Sequence, residues 1–96
     1  MDIEAIIKIL TLKAKDLTPL APSLKWFVFG SIIRDVSLAS DVDLLIIYSE
    51  ASDVGIIRQG LGEISLIYPL HLTLMLGCEE LETDFVKSQG AIQFFP

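Results

Sequence analysis

Phe29-Gly30-Ser31-Ile32-Ile33-Arg34, followed after a short gap by Ser40-Asp41-Val42-Asp43-Leu44, is the stretch on which the fold turns. An apolar run, Lys25-Trp26-Phe27-Val28-Phe29, ends in Gly-Ser; a polar link follows; a second apolar run opens on two aspartates. Nine residues lie between Ser31 and Asp41. Lys25–Phe29 is apolar at nearly every position, which predicts a strand buried on both faces with helices covering the sheet. The link holds a short helix from Ser31 to about Val36, with Ser31 as its N-cap, and a Ser37–Ser40 loop. Its length suits either a tight crossover or an antiparallel pair, so the spacing leaves the strand direction open.

Working outward, residues 2 to 17 place Ile3, Ile6, Ile7, Leu10, Ala14 and Leu17 at helical spacing, and Thr18-Pro19 stops the helix. The second strand runs from Asp41 to Tyr48. Ser49 to Asp53 reads as a turn and Val54 to about Ile64 as a short helix weakened by Gly55, Gly60 and Gly62. A third strand covers Ile67 to Met75, a helix Glu79 to Ser88, and Ala91–Phe95 is a last short strand or an apolar tail. The order is roughly α-β-α-β-α-β-α. The fold class expected is α/β (α+β), a small mixed sheet of three to four strands backed by helices, in one domain over residues 1–96.

Composition bounds the function. A hydrophobic fraction of 52% excludes a disordered chain. No apolar run reaches the ~18 residues needed to cross a membrane, and the acidic start Met1-Asp2-Ile3-Glu4 does not read as a signal peptide. The single cysteine, Cys78, cannot pair internally, which predicts a reducing, cytoplasmic setting; beside Gly77 it reads as a turn or strand-end residue. A net charge of −6 with seven scattered basic residues gives no extended nucleic-acid surface. An acidic chain handles nucleotides when bound cations carry the positive charge.

The chemistry lies in the opening stretch. Two residues apart on a strand, the Asp41 and Asp43 side chains share a face, and their mutual repulsion is relieved by a hard divalent cation such as Mg²⁺. Gly30 permits close backbone approach to a ligand; a helix starting at Ser31 favours an anion, with the Ser31 hydroxyl and Arg34 as further phosphate contacts. Each half alone has a plain structural reading: a hydrated polar loop for the acids, a strand–helix turn with a serine cap for Gly-Ser. Together they describe a phosphate cradle beside a metal-binding acid pair, the requirements of metal-assisted nucleotidyl transfer.

The joint motif resembles the signature of the DNA polymerase β-like nucleotidyltransferase superfamily, and within it the minimal nucleotidyltransferases, small proteins often paired with a HEPN-domain partner in toxin–antitoxin systems. The resemblance spans most of the chain. It implies Mg²⁺-dependent transfer of a nucleoside monophosphate, AMP by analogy, from a nucleoside triphosphate such as ATP to a hydroxyl. In the antitoxin members that hydroxyl belongs to a tyrosine of the partner toxin. It implies that Gly30 and Ser31, with Arg34, hold the triphosphate and that Asp41 and Asp43 bind one or two metal ions. The family's third carboxylate falls on His71, within Tyr68-Pro69-Leu70-His71-Leu72-Thr73-Leu74-Met75, a segment without Asp or Glu. His71 reads either as a catalytic base or metal ligand, or as a polar residue beneath the site. Glu79 and Glu80 replace the acid only if the chain folds back. Asp35 stands where relatives often carry glycine. These departures bear on turnover more than on fold, and they set beside the enzyme a second expectation: a catalytically degenerate member acting as a partner-binding antitoxin or nucleotide-binding module, with a HEPN-like protein or a second copy completing it.

Overall fold

The computed structural model describes residues 2–35 and 41–96. Val36 and the expected Ser37–Ser40 loop lie outside them. Four strands, β1 (Lys25–Phe29), β2 (Val42–Tyr48), β3 (Leu70–Leu76) and β4 (Ile92–Phe95), form one mixed sheet in the order β3-β2-β1-β4. β1 runs antiparallel to β2 and to β4. β2 and β3 are parallel, joined by the α3 helix (Ala51–Ile67), because parallel neighbours need a crossover. The α/β expectation with a small helix-backed mixed sheet therefore holds, and the open question at the first link resolves to an antiparallel pair.

The α1 helix (Ile3–Leu17) starts where Asp2 accepts a bond from the Ala5 N–H, satisfying one of the free N-terminal donors. It buries Ile6, Leu10, Ala14 and Leu17. With Ile57, Leu61 and Ile64 of α3, these pack on Trp26, Val42, Leu44 and Ile46 of the sheet. Leu44, Leu45 and Ile46 are all fully buried, each worth about 1.5–3 kcal/mol of transfer free energy. Leu45 faces the opposite way from its two neighbours, so the sheet is covered on both sides at β2. On that second side Phe27 is also buried, Phe29 packs edge-to-face on Phe85 with ring centroids 5.2 Å apart, and the α4 helix (Gly77–Thr83) lies against β2 and β3.

Three element limits differ from those read in sequence. α3 begins at Ala51 rather than Val54 and runs to Ile67, displacing the start of β3 to Leu70. Its start is fixed by Asp53, whose carboxylate accepts from the Glu50 and Ser49 N–H groups while the Asp53 N–H bonds the Glu50 carbonyl. Its glycines do not break it: Gly60 sits where α1 comes close, and a methyl there would lie 2.8 Å from Leu17 Cδ1. The expected Glu79–Ser88 helix is two pieces, α4 and α5 (Phe85–Gln89), divided at Asp84 in the left-handed conformation, φ 53°. The break delivers Phe85 to Phe29. The short α2 helix (Ser31–Arg34) follows β1 with Gly30, not Ser31, as its N-cap, and the expected last strand is present as the edge strand β4.

Candidate functional site

Antiparallel pairing of β1 with β2 sets Phe29 opposite Asp43, and parallel pairing of β2 with β3 sets Asp43 opposite His71. The end of β1 and the starts of β2 and β3 thus meet at one end of the sheet's strands. Asp43 and His71 are each the second residue of their strands, so they leave the sheet on the same face, away from the Val42/Leu44 and Leu70/Leu72 side that packs on the helices.

The geometry at Asp43 is tightly defined. His71 Nδ1 lies 2.9 Å from Asp43 Oδ1. On the other side, Gly30 has φ 78° and ψ −153°, and a methyl group added to it would collide with Asp43 Oδ2. Position 30 therefore needs glycine twice over: for its backbone angles and for the carboxylate packed against it. The group nearest to where that methyl would sit is the chain's own carboxylate. Asp43 is only 19% exposed, whereas the His71 side chain is 71% exposed. An ionised carboxylate only accepts hydrogen bonds, so this pairing puts the His71 proton on Nδ1 and, in the neutral ring, leaves the Nε2 lone pair toward solvent.

Gly30, Asp43 and His71 are thus brought together. Asp41, Ser31 and Arg34 flank them. Asp41 stands immediately before β2, not within it, and is exposed; the adjacent Val42 N–H bonds the Pro69 carbonyl at 2.9 Å, which fastens the start of β2 to β3. Ser31 is exposed at the start of α2 and its carbonyl accepts from the Asp35 N–H at 2.8 Å. Arg34 is exposed in the same helical turn. Among the described residues, no hydrogen bond or ion pair joins Asp41, Ser31 or Arg34 to Asp43 or His71, and no three His, Cys, Asp or Glu side chains are gathered as a ready-made metal cage.

Glu79 and Glu80 do not come near His71. They lie beyond the C-terminal end of β3, about 20 Å from His71 by strand rise. Glu79 Oε1 accepts from the Leu76 N–H and Glu80 Oε2 from the Val86 N–H, so both serve local caps. Cys78 is exposed in the first turn of α4, also at that far end. What the sequence reading missed is the Asp43–His71 hydrogen bond itself. The signal was the equal position of both residues in strands that turn out to be parallel neighbours.

No family model, curated protein or solved structure matches the chain. Among the described residues, no helix is long and apolar enough to cross a membrane.

Proposed function

We propose that this chain is a nucleotidyltransferase-like protein that moves a nucleoside monophosphate, AMP from ATP, onto a hydroxyl, working in the cytoplasm with a protein partner that presents the acceptor. The observation that carries the reading is the meeting of Gly30 and Asp43. Two halves of a motif separated by the α2 link pack against each other, so that a phosphate near Gly30-Ser31 would lie beside the acidic residues.

The donor set fits Mg²⁺. This ion is commonly held by one or two carboxylates with substrate phosphates and water completing the shell, and does not need an all-protein cage. Asp41 and Asp43 would hold it, and it would supply charge neutralisation for the triphosphate. The chain's own groups do the rest. The Gly30 backbone and Ser31 hydroxyl bind phosphate oxygens, and Arg34 adds a charged donor. His71 Nδ1 fixes the Asp43 carboxylate, and His71 Nε2 accepts the proton of the attacking hydroxyl. The hydroxyl oxygen forms a bond to the α-phosphorus as the bond to pyrophosphate breaks.

The assay is incubation with α-labelled ATP, Mg²⁺ and proteins encoded beside this one, a HEPN-domain protein foremost. Label on a partner, lost in Asp43→Ala, is the expected result. Absence of label with every partner, or label undiminished in Asp43→Ala, contradicts the reading. A second reading, a partner-binding module without turnover, is favoured by the exposed Leu66, Ile67 and Leu81, at 87%, 74% and 83%. It predicts a stable complex with the same partner and no label.

A further inference from the structure

The sheet has two edges, and they are built differently. β4 is short, Ile92–Phe95, and its pairing with β1 slips register between Trp26 and Phe27. Both are common means of keeping an edge from pairing with another chain. β3, at the other edge, has none of these. It is seven residues long, pairs with β2 without a slip, and reads Leu70-His71-Leu72-Thr73-Leu74-Met75-Leu76, with no proline, lysine, aspartate or glutamate. The apolar edge continues into Leu66 and Ile67 at the end of α3. Such a strand is a template for another strand.

The sequence of β3 says which strand. It is nearly palindromic about Thr73. The Pro69 carbonyl bonds the Val42 N–H, so residues 69, 71, 73 and 75 turn their backbone groups toward β2 and Leu70, Leu72, Leu74 and Leu76 turn theirs away. Laid antiparallel on a second β3 with the two-fold axis at Thr73, Leu72 faces Leu74 and Leu70 faces Leu76. Those are the residues whose N–H and C=O groups point outward. The Leu76 N–H is already taken by Glu79 Oε1, which leaves Leu72 and Leu74 as the central hydrogen-bonded pairs. On one face the leucines form a continuous row across both copies. On the other, Thr73 meets Thr73 and His71 meets Met75. No charge opposes a like charge, and every residue of the strand is used.

We infer that a second copy of this chain pairs with β3, antiparallel about Thr73, to make a two-fold dimer with one continuous eight-stranded sheet. An isologous contact of this kind closes on itself and leaves the short, slipped β4 edges outermost. The same pairing places the second copy's Met75 beside His71, covering an imidazole that is 71% exposed in the single chain. The dimer thus walls the open flank of the Asp43–His71 pair. The inference rests on strand geometry and holds whether or not the site transfers nucleotides.

The test uses the full chain. Light scattering at roughly 100 µM chain reads a mass twice 10.6 kDa. In a Cys78→Ser background, Thr73→Cys sets two thiols in a non-hydrogen-bonded pair with Cα atoms about 4.5 Å apart, within disulfide range. It forms a covalent dimer on mild oxidation. Leu70→Cys in that background stays unlinked, since its copy lies about 20 Å away along the strands. Thr73→Lys, shown to be folded by circular dichroism, opposes two like charges on the axis and runs at the monomer mass. A wild-type monomer overturns the inference. So does a dimer that links as readily through residue 70 as through 73, or one that Thr73→Lys leaves intact.

Discussion

Replacing Gly30 with alanine tests the centre of the site without touching a charged group. At φ 78° an L-residue is strained, by about 1–3 kcal/mol. The added methyl also collides with Asp43 Oδ2 and comes within 3.0 Å of its Cγ. Asp43 must then rotate, giving up a partly exposed bond to His71 worth about 1 kcal/mol. The sum is about 2–4 kcal/mol, a large share of the ~5–10 kcal/mol expected of a chain this size. Trp26, the single tryptophan and fully buried, reports unfolding by fluorescence in urea. Gly30→Ala should lower the midpoint with little change in slope and drop Tm by roughly 10–25 °C. In a double-mutant cycle with Asp43→Ala the two losses should fall short of additivity by about 1 kcal/mol, because removing the carboxylate removes the collision while the backbone strain stays. A cost under about 0.5 kcal/mol, or strict additivity, would refute the packing of Asp43 on Gly30.

His71→Ala, at an exposed position, should change stability by less than ~1 kcal/mol while lowering nucleotide-dependent labelling at least tenfold, as read by urea titration beside the label assay. Gly62→Ala, in α3 with open space around the new methyl, should stabilise by about 0.5–1 kcal/mol in the same titration. Asp53→Ala removes the buried acceptor that holds the Glu50 and Ser49 N–H groups and should cost about 1–2 kcal/mol, with loss of α3 helicity by circular dichroism.

Much of the architecture was legible because the residues speak locally. The apolar spacing of Ile6, Leu10, Ala14 and Leu17 predicted the first helix to within a residue, and the unbroken apolar run Trp26–Phe29 predicted a strand covered on both sides. Where local signals conflict with packing, the reading drifted. Glycines argue against a helix, yet α3 runs seventeen residues because its Ile57, Leu61 and Ile64 stripe is buried and Gly60 is where α1 needs room. The break at Asp84 left no mark in the apolar pattern, since it serves a distant contact between Phe85 and Phe29. At the site, residue types and spacing singled out Gly30 and Asp43, and the family resemblance pointed to His71, but only strand pairing joins them. The sequence could not choose between a crossover and an antiparallel pair at the first link, and the Phe29–Asp43 register depends on that choice; the Asp43–His71 register depends instead on the parallel pairing of β2 with β3. Asp41, read as the strand partner of Asp43, instead stands just outside β2.

The proposed magnesium-nucleotide site at Gly30, Asp43 and His71 is open to isothermal calorimetry of the wild-type chain with ATP and Mg²⁺. The expected result is one nucleotide bound per chain, with heat that disappears in EDTA and in Asp43→Ala folded as judged by Trp26 fluorescence. No binding at millimolar ATP, or binding that survives both EDTA and Asp43→Ala, would contradict it.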